Sequence, residues 1–394
     1  MDDGGDKSLT KEDLSTKPPQ KRDTLTLEKK DLQKLFKALS QQGFQLLGPI
    51  IREDAIVYDF FDSIEDLPTG WAEEKKNGTY RLIKRDDNAL FGYTVGQHSW
   101  KKIMRPLPNN LWHAERHDKK FRIITENPET PKIALIGVRS CDLHAIALQD
   151  HIFIESGPID PLYKSRRESL FIVAINCGQS GGTCFCASMN TGPKANSGFD
   201  IALTEIVHSK SHRFIVEVGT RAGEEVMKTV RHSKTTAEDI KIAKQIVERA
   251  ANEMGRSIDI TDIKDLFYRN YEHPRWKSVA NRCLSCGNCT LVCPTCYCTT
   301  IEGETDLKGE RATVIQRHDS CFTNDFSYIH GTNIRSSPSS RYRQWIYHKL
   351  ATGIDQFGTS CCVGCGRCIT WCPAGIDITE EADAIRINEG EKEE

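Results

Sequence analysis

The stretch Cys283-Leu284-Ser285-Cys286-Gly287-Asn288-Cys289-Thr290-Leu291-Val292-Cys293-Pro294 recurs as Cys362-Val363-Gly364-Cys365-Gly366-Arg367-Cys368-Ile369-Thr370-Trp371-Cys372-Pro373. Each copy reads C-x2-C-x2-C-x3-C-P, the spacing with which bacterial ferredoxins hold [4Fe–4S] clusters. Three thiolates at this spacing wrap one cluster, and the fourth, followed by a proline, reaches across to the other. The expected assignment is therefore crossed. Cys283, Cys286, Cys289 and Cys372 hold the first cluster; Cys293, Cys362, Cys365 and Cys368 hold the second. Soft thiolates suit iron–sulfur or zinc, whereas hard cations take oxygen. Zinc is the competing reading, but a zinc ribbon needs two C-x2-C pairs, not two consecutive runs of four ending in Cys-Pro. The C-x3-C-x2-C spacing of radical S-adenosylmethionine sites occurs at Cys361, Cys365, Cys368 and at Cys289, Cys293, Cys296. Each of these would break up a complete ferredoxin motif.

The 68 residues 294–361 between the copies are more than a compact two-cluster ferredoxin needs. They contain Cys321 and the basic, aromatic stretch Arg335–Trp345, which could cover a cluster, form a docking surface or be a solvated loop and helix. Outward from this region the cysteines thin sharply. Of 16 in 394 residues, none precedes Cys141, four lie at Cys141, Cys177, Cys184 and Cys186, and twelve fall between Cys283 and Cys372. A chain this long buries a full core without disulfide staples, so cysteines gathered in this way point to metal chemistry.

Two apolar runs, Lys132–Val138 and Leu170–Asn176, read as buried strands, with a helical pattern over Asp142–Leu148 between them. Such a βαβ unit collects ligands at the carboxyl ends of its strands. There lie Cys141 after the first strand and Cys177-Gly178-Gln179-Ser180-Gly181-Gly182-Thr183-Cys184-Phe185-Cys186 after the second. Adjacent parallel strands would bring the four sulfurs together, and the glycines allow a tight, amide-lined loop. A third [4Fe–4S] cluster is expected at Cys141, Cys177, Cys184 and Cys186, with zinc or buried thiols as alternatives. Cys296, Cys298, Cys321 and Cys361 remain; a fourth cluster is possible by number, and packed thiols beside the other clusters are the simpler reading.

The rest of the chain is a mixed α/β pattern. A polar arm with Pro18-Pro19 covers 1–25, and an amphipathic helix is expected over 27–40, ended by Gly43. Strands are expected at Gln45–Ile51, Ile56–Phe61 and Arg213–Val218, and a hairpin joining Tyr80–Lys84 to Leu90–Val95 through 86–89. A helix capped by Thr235 and Glu238 should run to Met254, and another should span Asp262–Tyr271. His113 and His117 would lie on one face if helical, but they lack a third metal ligand. The fold class is thus α+β or α/β. An N-terminal mixed α/β domain spans 26–265 and a C-terminal, bacterial-type ferredoxin-like dicluster domain 266–385, with an insert over 299–360 and a charged tail over 386–394.

Several classes are excluded by what is missing. Net charge is −2, which argues against a nucleic-acid surface. No GxGxxG follows a strand, and no GxxxxGK[ST] or C-x-x-C-H motif occurs. The paired C-x2-C motifs that bind the nickel–iron centre of a hydrogenase catalytic subunit do not appear outside the ferredoxin runs, and no catalytic residue is assigned. The acidic start has no basic or apolar signal regions, and the apolar runs are strand-sized, so neither secretion nor a membrane span is expected. Arg166-Arg167 reads as charges flanking a strand rather than as a twin-arginine signal. A cytoplasmic, reducing setting follows.

Several strings combine into a resemblance. They are Ile136–Ala145, Cys177–Cys186, Cys283–Thr300 with Cys296-Tyr297-Cys298, Asp319–Phe322, Arg341–Trp345 and Cys362–Pro373. Together they resemble the beta subunit of cytoplasmic sulfhydrogenases, which are bidirectional NAD(P)-linked nickel–iron hydrogenases. The corresponding iron–sulfur subunit of anaerobic sulfite reductases is a relative. The resemblance covers about residues 30–385 and makes Cys296, Cys298 and Cys321 family features, though not Cys361. It implies an iron–sulfur electron-transfer subunit between a flavin- and NAD(P)-binding diaphorase subunit and the small and large hydrogenase subunits. A siroheme sulfite reductase subunit is the alternative catalytic partner. A second alternative is an enzyme that reduces sulfur directly at an open N-terminal cluster, and a third is a scaffold whose clusters only stabilise it.

Overall fold

The computed structural model describes residues 24–118, 120–125, 130–208 and 211–390. Residues 1–23 of the expected arm and 391–394 of the expected tail lie outside them. Strand β1 (Thr24–Glu28) runs straight into the helix Lys29–Gln41, which buries Leu32, Leu35, Phe36 and Leu39. This helix begins two residues later than its periodicity suggests, because Thr24–Glu28 pairs along a neighbouring strand. Gly43, at φ +86°, makes the turn after it. Strands β2 (Gln45–Arg52) and β3 (Ala55–Phe60) form a hairpin.

The next hairpin differs from expectation. Strand β4 (Trp71–Lys76) turns at Asn77-Gly78 into β5 (Thr79–Lys84), so Tyr80–Lys84 pairs with the residues before it rather than after it. Asn-Gly between two strands favours a type I′ turn, a signal present in the sequence. Leu90–Val95 forms no strand. It is a buried segment whose backbone is satisfied by side chains. Leu90 and Phe91 N–H donate to the Glu205 carboxylate at 2.7 and 2.9 Å. The Phe91 and Tyr93 carbonyls accept from the Arg139 guanidinium at 3.1 and 2.6 Å. Strands β6 (Asn109–His117) and β7 (Lys120–Thr125) follow as an antiparallel pair. His113 and His117 therefore lie on a strand, where four residues span about 13 Å. They cannot share a metal there.

Strands β8 (Ile133–Val138) and β9 (Leu170–Ile175) form the parallel centre of the main sheet, almost wholly buried, as apolar runs between helical layers should be. The helix between them spans Ser140–Asp150. After β10 (Ile201–His208), β11 (Ser211–Val218) and the two-residue β12 (Ser233–Lys234), the eight-stranded order is β12-β1-β11-β10-β9-β8-β2-β3. Helix Ala237–Asn252 packs on β10 and β11; its cap is Thr236, accepting from Asp239 N, one residue beyond the capping box expected at Thr235. Helix Ile263–Arg269 leads into the cysteine-dense half.

The insert does not stand apart. Its hairpin, β13 (Thr299–Thr305) and β14 (Arg311–His318), joins the earlier hairpin in a four-stranded sheet, β13-β14-β6-β7. Its helix Pro338–Leu350 buries Tyr342, Trp345, Ile346 and Leu350 in a core shared with Phe185, Met189, Phe267 and Trp276. The two halves of the chain are thus knit by a sheet and by a common core.

Candidate iron–sulfur centres

The two ferredoxin copies fold alike. In each, a glycine at positive φ (Gly287 at +75°, Gly366 at +71°) caps a four-residue helix carrying the third cysteine. The helices Asn288–Leu291 and Arg367–Thr370 pack against each other. This pairing brings residues of the two copies to one place. A small, mainly apolar cavity is lined by Cys283, Cys286, Cys289 and, from the other copy, Cys372. Cys368 of the reciprocal set also reaches its wall, and Leu284, Phe322, Tyr342, Trp345 and Ile376 supply apolar surface. From the stretch Arg335–Trp345, Tyr342 and Trp345 wall this cavity. Ser285 N–H donates to Cys283 Sγ and Ile376 N–H to Cys372 Sγ, both at 3.4 Å. Amide donors of this kind stabilise negative charge on sulfur.

The reciprocal set gathers beside it. The charges acting on Cys368 are those of Cys362, Cys365 and Cys293, followed by Cys289 of the neighbouring set. Burial pushes the Cys362 thiol up to about 12, and the thiols of Cys365, Cys368 and Cys289 are also raised by burial. Metal that draws off these protons therefore gains buried thiolate ligands. Cys293 is the exception. A hydrogen bond with Cys296 holds it well below the usual thiol range against the penalty of burial, with help from Lys349 and Thr295.

In the N-terminal half, β8 ends in a register irregularity between Ile136 and Val138, with Gly137 at φ +91°. The irregularity re-aims the chain, as bulges do, so that Arg139-Ser140-Cys141 opens the helix Ser140–Asp150. Cys177 follows β9 by two residues. Arg139, fully buried, places Nη1 3.8 Å from Cys177 Sγ. The charges on Cys186 come from Cys184, Cys177 and Cys365, and those on Cys141 include Cys186 and Cys365. The four N-terminal cysteines thus share one locality, against the second ferredoxin loop. Phe185 N–H donates to Gly364 O at 2.8 Å, Thr191 Oγ1 to Val363 O at 2.7 Å, and Cys184 Sγ lies 3.9 Å from Cys365 O. A Cβ on Gly364 would stand 2.6 Å from Cys186 N, and one on Gly366 would stand 2.2 Å from Thr183 O.

The remaining cysteines have different principal neighbours. Cys296 is bound to Cys293, Cys321 is nearest in charge to Cys298, and Cys361 faces Lys349 and Cys293. Among the described residues no three His, Cys, Asp or Glu groups close on one point as a single metal ion requires. The charged residues that bind these loops together, Arg367, Asp142, Lys101 and Lys349, carry no motif and were not legible in the sequence.

The donor set and the internal two-fold repeat define a [4Fe–4S] dicluster protein, and residues 282–376 match the family described as 4Fe-4S dicluster domain. The chain is also 32% identical over 337 residues to sulfhydrogenase 2 subunit beta of Pyrococcus furiosus, a match covering 83% of this chain and 95% of that one. It belongs to the sulfhydrogenase beta-subunit family, an iron–sulfur family. No helix among the described residues is long and apolar enough to cross a membrane.

Proposed function

We propose that the chain holds three [4Fe–4S] clusters and relays single electrons between a flavin- and NAD(P)-binding diaphorase subunit and a hydrogenase core. The first cluster takes Cys283, Cys286, Cys289 and Cys372. The second takes Cys293, Cys362, Cys365 and Cys368, and the third takes Cys141, Cys177, Cys184 and Cys186. A hydride delivers two electrons together, so a flavin must release them singly to carriers of this kind. The observation that carries the reading is the direct contact of Cys184–Cys186 with Gly364–Cys365. It puts the third set of cysteines against the second, while the paired short helices put the second against the first. The chain supplies the thiols, all but Cys286 buried or half-buried, and the amides and cations that tune them. Four thiols at the N-terminal locality favour a closed, relaying site over one open to a sulfur substrate. The sulfhydrogenase relative favours a hydrogenase core over a siroheme subunit as partner.

The test is a Cys184→Ser/Cys186→Ser chain assembled with its partner subunits. Dye reduction by NAD(P)H at the diaphorase and dye reduction by hydrogen at the catalytic core should both persist. Hydrogen-dependent reduction of NAD(P)+ should fall at least about a hundredfold, since loss of even an outer-shell partner costs about 10–100-fold. Full retention of the coupled reaction would remove the third centre from the route.

A further inference from the structure

Lys349 stands on the helix Pro338–Leu350 with only 3% of its surface exposed. Its ammonium donates to Thr295 Oγ1 at 2.8 Å. That hydroxyl lies 3.1 Å from Cys293 Sγ and donates to Cys361 O at 2.6 Å. The charges that act most on Lys349 are the sulfurs of Cys293, Cys296 and Cys361, and no carboxylate stands among them. Lys101 reaches the same place from the N-terminal half, donating to Thr290 O at 3.0 Å and Cys296 O at 3.3 Å. Cys296, Cys293 and the repelling Lys349 head the charges around it, again without a carboxylate.

A buried ammonium with a second, half-buried one beside it is costly unless an anion balances it. Arg367, another buried cation of these loops, has its own carboxylate in Asp142. Among the described residues Lys349 pairs with no carboxylate, so its countercharge comes from the thiolates it faces and whatever they bind. A cluster ligated by four thiolates is anionic and gains one further negative charge on reduction. A fixed cation at its edge therefore favours the reduced form.

We propose that Lys349, supported by Lys101, is the counter-cation of the second cluster and holds its reduction potential above that of the first. The inference rests on Cys293, Cys362, Cys365 and Cys368 being the ligands of that cluster. In the step concerned, one electron leaves the first cluster, which is oxidised by one unit, and enters the second, which is reduced by one. No bond is made or broken and no proton moves. The residues lining the first cavity include no cation, so the difference between the two sites is built into their walls. The third site has its own buried cation in Arg139, and the comparison is therefore with the first.

The experiment is anaerobic potentiometry of the full chain, following each cluster by electron paramagnetic resonance. The second cluster's signal is identified as the one lost in Cys368→Ser. Lys349→Met should lower that cluster's reduction equilibrium constant about tenfold or more, as a unit charge a few ångströms away would. Iron content and the first cluster's midpoint should stay as they were. Lys349→Arg should restore the potential, and Lys101→Met should shift it the same way by less. An unchanged midpoint in Lys349→Met with iron intact would overturn the proposal, as would an equal shift at the first cluster. If Lys349→Met loses the cluster, an unchanged midpoint in Lys101→Met overturns it instead. A Cys368→Ser chain that loses no signal would show the ligand reading itself to be at fault.

Discussion

Arg367 and Asp142 form a bidentate ion pair, with Nη1 2.8 Å from Oδ1 and Nη2 3.1 Å from Oδ2, and with both side chains shut off from solvent. Arg367 sits between Cys365 and Cys368, and Asp142 follows Cys141, so the pair fastens one cysteine loop to another across 225 residues of chain. Arg367 Nε also donates to Gly96 O at 3.0 Å. A buried pair of this kind gives little net stability, but breaking one half leaves a charge with no partner.

Arg367→Met and Asp142→Leu alone should therefore each destabilise the chain by about 3–5 kcal/mol. The double variant should recover much of that loss, since no charge is then stranded. Anaerobic denaturant unfolding checks this. Additive losses in the double variant would show that the two residues act separately.

The glycine contacts give a sharper local test. Gly364→Ala and Gly366→Ala would drive a methyl into the backbone of Cys186 and Thr183, whereas Gly358→Ala, at φ +69°, would meet open space. The control should lose only the left-handed backbone penalty of about 1–2 kcal/mol. The other two should lose more and should also perturb the electron paramagnetic resonance of the second and third clusters. Equal, spectroscopically silent losses in all three would mean that the loops do not meet as described.

Crossed ligation predicts which variants resemble one another. Cys293→Ser should alter the same signal as Cys368→Ser, and Cys372→Ser the same signal as Cys283→Ser. Pairing Cys293 with Cys283 instead would place all four cysteines of a copy on one cluster and contradict the crossing.

His348 gives a pH dependence. Burial, aided by Lys349, pushes its pKa down to about 4. An unfolded histidine binds its proton near pH 6.5, so the unfolded state takes up protons first as pH falls. The contribution of a neutral His348 is complete above that value and is lost progressively between about 6.5 and 4. His348→Gln should flatten the decline in melting temperature over that window and leave the curve above about pH 7 parallel to wild type. An unchanged slope would exclude His348 as its source.

The sequence makes the ferredoxin copies legible because each chemical requirement lies within a dozen residues. Strands β8 and β9 are legible for a similar reason, since a parallel strand buried on both faces is one unbroken apolar run. The hairpin of β4 and β5 was also readable, through Asn77-Gly78. The expectation over 80–95 missed it by treating apolar Leu90–Val95 as ladder-forming, when Arg139 and Glu205 satisfy its backbone. Residues whose roles depend on distant partners left no such trace. Lys349 on a helix reads as a solvated lysine, Asp142 as a residue of a helical turn, and the pairing of β14 with β6 joins segments nearly 200 residues apart. Burial of charge is a property of the assembled core, and short-range patterns do not encode it.

The central claim is that one chain carries three adjoining clusters, and iron and acid-labile sulfide per chain after anaerobic purification test it most directly. Three cubanes require about twelve of each. Cys184→Ser/Cys186→Ser should lower both to about eight while leaving the two ferredoxin-type signals in place. About eight in the unmodified chain, unaffected by that variant, would contradict the account by removing the third cluster.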